Sequence, residues 1–292
     1  MEPVPSSITK TYPRRGPLQQ FRFAENTAFV CFRCGNTKRS KLITTYYSDW
    51  SKKLCNGCYG RLLSVFDVKA GTAPDDQKAD ELALALLSMV AIESQHQAEM
   101  LLRASEKRAE QLCPEAVKFI ATAEYVAALL DDEPQLEWSP AVIGLCKAAE
   151  AEIVARILRP LADRTSLEDL STDKADKDLG RVAAFCVDPT KKPPELGVFA
   201  HFLQTFIHSQ ARRGTSQLLH GFARLAAEWT GSQWVLEPGE FLSALTSLTT
   251  GFRNRAAHID ELGKMDYNNC RELLIGTKGF LWRLVLATGR QK

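Results

Sequence analysis

From about residue 76 onward, apolar residues return every three or four positions and almost never alternate. Leu82, Leu86, Met89, Ile92 and Leu101 form such a pattern over 76–111, which predicts a strongly helix-forming stretch. A further helix is expected from Pro114 to Leu130. Another opens at SPAVIGLCKAAEAEIVARILRPL, where Ser139 suits the N-cap, Pro140 suits the first turn, and Val142, Leu145, Ala149, Ile153 and Ile157 keep helical spacing. The polar stretch 164–195, with STDKADKD and TKKPPE, reads as a loop insertion. Helical spacing resumes near 196–211, 216–230, 239–260 and 267–287. No strand alternation stands out beyond the N-terminal module, and no internal repeat is visible. The expected fold class is therefore all-α. It places a helix bundle at 136–292, a helical extension at 78–135, a linker at 69–77 (KAGTAPDDQ) and a small module at 21–68.

One helix of the bundle departs from an ordinary amphipathic pattern. At about 100° per residue, Leu245, Leu248, Phe252, Ala256 and Ile259 fall on a core stripe. The opposite face carries Ser243, Ser247, Thr250, Gly251, Asn254, Ala257 and His258, nearly all small, where an exposed face is normally filled by Lys, Glu and Gln. Small residues allow another backbone to come close, so a second copy of the same face is the expected cover. Arg253 is expected at the flank, leaning toward His258.

The N-terminal module has its own chemistry. CFRC (31–34) and CNGC (55–58) are two C-x2-C pairs twenty residues apart, and four thiolates so arranged suit a closed tetrahedral zinc site. Cys31, Cys34, Cys55 and Cys58 are the expected ligands of a structural zinc. A closed four-cysteine site has no open coordination position, so no catalysis is expected from that metal. So short a segment is expected to have almost no apolar core and to draw most of its folding free energy from the ion. Tyr46, Tyr47 and Trp50 either stack on exposed bases or form a miniature core.

Charge changes the picture in one respect. The net charge of the chain is only +2, but residues 1–61 hold eleven Lys or Arg against three acids. A basic module on a mildly acidic body points to a polyanionic partner, with Lys38, Arg39, Lys41, Lys52 and Lys53 as candidate nucleic-acid contacts. Residues 1–20 are polar and Pro-rich and read as a disordered basic arm. They lack the apolar run of a secretory leader, no stretch approaches the roughly 18 residues of a membrane span, and Cys113, Cys146, Cys186 and Cys270 are scattered singly. The cytoplasm is the expected compartment, with no membrane partner.

Two resemblances follow from these residues. LCNGC running into a helix resembles the GATA-type zinc finger, a treble clef in which the first Cys pair lies on a hairpin and the second opens a helix. RNRAAH, an Arg, a polar residue and a His near the last helical pair, resembles the R-x4-H motif of HEPN domains, and the SPAVIG helix resembles the helix that opens that domain in bacterial defence proteins. The HEPN resemblance spans roughly 138–288. It implies a helix bundle, a homodimer, and metal-independent cleavage of RNA in a toxin or antiviral defence role. Arg253, Asn254 and His258 would be catalytic, and Glu150 would brace Arg253. The rival expectations are a non-catalytic regulator that reads DNA through its finger, with the body as dimerisation module, and a scaffold whose finger grips a protein.

Overall fold

The computed structural model describes residues 7–130, 137–165, 169–258 and 262–289. Four strands, β1 (Ile8–Thr11), β2 (Leu18–Val30), β3 (Thr37–Tyr46) and β4 (Asp49–Leu54), form one antiparallel sheet in chain order. Its centre is buried on both sides. Leu18 sits opposite Tyr46 and Thr44 opposite Leu54, while Phe21, opposite Ile43, packs on Trp50 with ring centroids 4.7 Å apart. Tyr46 and Trp50 are thus core residues, and only Tyr47 stays exposed, at the tip of the β3–β4 hairpin. That tip is a two-residue turn in which Tyr47 and Ser48 both take positive φ, 51° and 61°. The mirror-image turn suits the twist of the flanking strands, although neither residue is the glycine such turns favour.

The sheet corrects several expectations. The chain is mainly helical but not purely all-α. Residues 7–20 are not a disordered arm, because they form β1, the following turn and the start of β2; residues 1–6 lie outside the described residues. Nor does the module lack a core, since Leu18, Phe23, Phe29, Ile43, Leu54, Leu62 and Val65 are all buried. The longer sheet supplies this apolar surface, and it lies largely where β-branched and aromatic residues mix with polar ones too irregularly to show alternation.

Helix α1 (Asn56–Ala70) leaves the module and runs into the start of the expected linker. Lys69 near its end is 3% exposed, with Nζ 2.9 Å from Glu137 Oε2 and 3.1 Å from Ser139 Oγ. Lys78 Nζ donates to the carbonyl of the same Lys69 at 3.0 Å. Only residues 71–74 separate α1 from α2 (Asp75–Ser88), so the joint is short and pinned to the body.

The body follows as α3 (Ile92–Ser105), a 3-10 turn (Lys107–Gln111), α4 (Pro114–Leu130) and α5 (Ser139–Ile153), which a π-helical turn (Val154–Leu158) joins to α6 (Arg159–Thr165). Helices α2 to α4 are no separate extension. Gly144 on α5 lies so close to its neighbours that a Cβ there would meet Leu86 Cδ2 at 2.4 Å and Ala123 Cβ at 3.2 Å. The stretch 164–195 is not a loop insertion either. It holds a 3-10 turn (Ser171–Ala175) and α7 (Lys177–Val187), and Leu179, Val182, Ala183, Phe185 and Cys186 are buried. The charged residues on either side of VAAFCV mask the apolar stripe. Then come α8 (Leu196–His208), α9 (Gln210–Thr215), α10 (Gln217–Ala226) and α11 (Ser232–Leu236). The last part comprises α12 (Glu240–Thr246), a π-helical stretch (Ser247–Arg253), α13 (Asn254–Ala257), α14 (Lys264–Ile275) and α15 (Phe280–Ala287). The single helix expected over 267–287 is divided at Gly276–Gly279, where a Cβ on Gly279 would lie 2.5 Å from the Leu274 carbonyl. No described helix is long and apolar enough to cross a membrane.

Gly144→Val is expected to destabilise the chain by about 2 kcal/mol, because Leu86 and Ala123 are both buried and have little room to yield. The shift of the urea midpoint measures it.

Candidate metal centre and the Arg253–His258 site

The two Cys pairs converge as their spacing requires. Cys31 directly follows β2, Cys34 lies in the β2–β3 turn, and Cys55 is the N-cap of α1, with Cys58 in its first turn. The turn closes through Gly35 N to the Cys31 carbonyl at 2.9 Å and Cys31 N to the Asn36 carbonyl at 2.9 Å. Gly35 has φ +65° with open space around it, so conformation rather than crowding demands glycine there. The four sulfurs lie within 4.8 Å of one another, and Cys34 and Cys55 are 4.0 Å apart. Tetrahedral zinc with Zn–S bonds of about 2.3 Å needs sulfurs roughly 3.8 Å apart, so these four residues fit one metal ion such as zinc. The Cys55 amide points at Cys31 Sγ at 3.3 Å and Asn36 Nδ2 at Cys34 Sγ at 3.5 Å, which are donors that suit thiolate charge. Burial pushes the Cys58 thiol well up, reinforced by Cys31 beside it. Metal uptake must therefore expel protons.

Of the five basic residues singled out, Lys38, Arg39 and Lys41 are exposed on β3, whereas Lys52 and Lys53 are half-buried. Lys52 Nζ lies 5.4 Å from the centroid of the Phe32 ring. Three of the five candidates are thus exposed.

The expected helix at 239–260 is interrupted. Its middle is π-helical, with the Asn254 amide bonded to the Thr249 carbonyl, five residues back. A wider turn shifts the angular phase of everything after it. Leu245, Leu248 and Ala256 still face the core, and Phe252 is half-buried. Ile259 lies outside the described residues. The phase shift explains two departures. Ala257, expected on the open face, is fully buried. Arg253, expected at the flank, is only 2% exposed.

Arg253 reaches toward carboxylates. Its Nη1 is 2.7 Å from Asp76 Oδ1, and its Nε is 3.1 Å from Glu150 Oε1. Burial works against the guanidinium charge, but Glu150 and Asp76 outweigh it and hold the group more firmly protonated than usual. Nη2 is buried with no hydrogen-bond partner. His258 ends α13 with its side chain 55% exposed, and its Nε2 is 3.3 Å from Asp75 Oδ2. Two consecutive residues in the first turn of α2 therefore hold the Arg and the His separately. Asn254, Arg253, Asp75, Asp76, Asp178 and Thr249 line a pocket of about 260 Å³.

The Arg253 pair belongs to a closed circuit. From Glu150 it runs to Lys147, from Lys147 to Asp80 (2.6 Å), to Lys192 (2.5 Å), to Glu195 (3.1 Å), to Arg181, and back to Asp76 (3.7 Å). Four acids and four bases alternate around it, which ties α2, α5, α7, the entry to α8 and the π-helical stretch into one neutral unit. Burial tends to raise the Asp80 carboxyl, but hydrogen bonds from Lys147 and Lys192 keep it below the usual range. A depressed carboxylate contributes stability above its unfolded pKa and loses it as pH falls through the folded value. Acid thus loosens this circuit.

Sequence reasoning missed Asp75 and Asp76, which look like ordinary acids at a helix start. Their placement against a π-shifted Arg carries no local signal. No protein-family model, curated protein or solved structure matches the chain.

Metal analysis of purified protein should find close to one zinc per chain, and Cys58→Ser should abolish it; metal retained at wild-type stoichiometry would rule out the four-cysteine centre. Arg253→Ala should cost on the order of 3 kcal/mol, because it leaves Asp76 and Glu150 short of their cation. Chemical denaturation reads that loss.

Proposed function

We propose that the helical body is a metal-independent endoribonuclease of the HEPN type, working as a homodimer in the cytoplasm in a bacterial defence or toxin role. The N-terminal module would act as a GATA-like zinc finger that recruits nucleic acid. The observation that carries this reading is His258, exposed at a helix end and partnered by Asp75, beside a pocket shared by Arg253 and Asn254. A carboxylate-oriented, solvent-accessible imidazole is what general acid–base chemistry at neutral pH requires.

In this reading His258 takes the proton of a ribose 2′-OH, or returns one to the leaving 5′-oxygen. The 2′-oxygen forms the new P–O bond as the bond to the 5′-oxygen breaks, leaving a 2′,3′-cyclic phosphate and a 5′-hydroxyl. Arg253 Nη2, the nitrogen without a partner, is the donor left for a non-bridging oxygen, and Asn254 lines the same pocket. Glu150 keeps the guanidinium plane in place. Asp75, Asp76 and Asp178 oppose an entering phosphate, so the Asp75 and Asp76 contacts must give way as RNA binds. The exposed Ser243, Ser247 and Thr250 are the face that a second copy would cover, which would bring two such sites together.

The exposed Lys38, Arg39 and Lys41 favour a second reading, a DNA-binding regulator that the helical body only dimerises. One experiment separates the two. Labelled RNA is incubated with the protein during brief chelation by EDTA, and cleavage ending in cyclic phosphate is expected. His258→Ala should slow it at least about 100-fold while the fold is retained. If that variant cuts RNA as fast as wild type, the nuclease assignment is wrong. Inert RNA together with tight binding of duplex DNA would select the regulator.

A further inference from the structure

A second site shares no lining residue with the Arg253 pocket and does not depend on the nuclease reading. Arg108, on the 3-10 turn before α4, is fixed at each guanidinium nitrogen. Nε donates to Glu106 Oε1 at 2.9 Å, Nη2 to Glu106 Oε2 at 2.6 Å, and Nη1 to the Thr277 carbonyl at 3.1 Å. Beneath it lies the Trp282 ring, its centroid 4.7 Å from the guanidinium carbon. Trp282 is itself buried and anchored through Nε1 to the Ile275 carbonyl at 3.0 Å. With its edges used and one face covered, the guanidinium offers its other face, and the side chain is still 40% exposed.

Arg108 and Trp282 both line a pocket of about 360 Å³, within the usual small-ligand range. Lys278 and Arg283 stand in its lining, Val285 and Leu286 supply an apolar wall, and Gln111 offers an amide. Among the described residues no carboxylate lines it. Glu106 already balances Arg108, and its carboxyl is held down at about 2 by that hydrogen bonding. Arg283 meets the largely exposed Glu240. The remaining cation is Lys278, exposed to solvent.

A pre-fixed guanidinium plane backed by an aromatic ring is a stacking platform, and Arg planes commonly serve nucleobases in this way. An ammonium at the rim of the same pocket adds a partner for phosphate. We propose that Arg108, Trp282 and Lys278 form a nucleotide-binding site, with the base stacked on the outer face of Arg108 and the phosphate beside Lys278. The nucleotide is either free or one unit of a single strand.

The test uses the full-length protein with AMP, by calorimetry, and with a fluorescein-labelled ten-residue oligothymidylate, by anisotropy. Arg108→Lys keeps the charge but removes the plane, and Lys278→Glu reverses the rim charge at an exposed position that the fold does not need. Each should weaken binding about tenfold, Arg108→Lys by the worth of one base stack and Lys278→Glu by that of a charge-assisted phosphate contact; Lys191→Glu, at an exposed residue outside the pocket lining, serves as a control that leaves AMP affinity unchanged. AMP affinity lowered by both substitutions identifies a free-nucleotide site. Oligothymidylate affinity lowered by both, without competition from AMP, assigns the platform to a base of a strand. Absence of binding, or affinities that neither Arg108→Lys nor Lys278→Glu alters, overturns the proposal.

Discussion

A guanidinium cannot be buried alone, and the architecture of the body answers that constraint at Arg253. The cost of desolvating such an ion is several kcal/mol, met here by Asp76 from one helix and Glu150 from another. Because both acids also serve other cations, the requirement spreads until eight residues close on themselves. The circuit sets where α2 begins relative to α13, and hence how far Asp75 stands from His258. Around it the apolar core does the bulk of the stabilising, with Leu82, Leu86, Leu145, Leu245 and Leu248 all fully buried. Ion pairs of this kind contribute little net stability but penalise any arrangement that separates them, which makes them determinants of register.

Much of the helical body is legible from periodicity, because 3.6-residue spacing survives wherever one face is apolar. The Pro114–Leu130 helix follows directly from it, and α5 opens within a residue of its expected start, although Trp138 and not Ser139 is the N-cap. Periodicity fails where the backbone leaves that period. A π-helical stretch cannot be seen in residue identities, so regular spacing puts Arg253 at the flank and Ala257 on the open face, when both are buried. The stretch 164–195 misleads for a different reason. Its acids and lysines outnumber its apolar residues, yet Leu179, Val182, Ala183 and Cys186 still find one face of α7.

At the N-terminus the Cys spacing is a strong signal because metal geometry leaves few alternatives, and the two pairs do meet. The strands around them are harder to read. A sheet buried on both faces at its centre lacks polar alternation, and a bulge between Arg22 and Thr27 shifts the register midway. Likewise nothing in Tyr46, Tyr47 and Trp50 tells core from surface; the left-handed tip at Tyr47 and Ser48 does that by turning one ring outward and leaving the others inside.

The pinned end of α1 has a mechanical consequence. Fifteen residues at about 1.5 Å each make a rod of about 22 Å, with the Cys knuckle at one end and Lys69 near the other. If that rod swings by about 5° on its pinned end, the knuckle travels about 2 Å, and only four residues lie between the pinned end and Asp75. Whatever grasps the knuckle therefore works on a lever whose fulcrum lies four residues from Asp75.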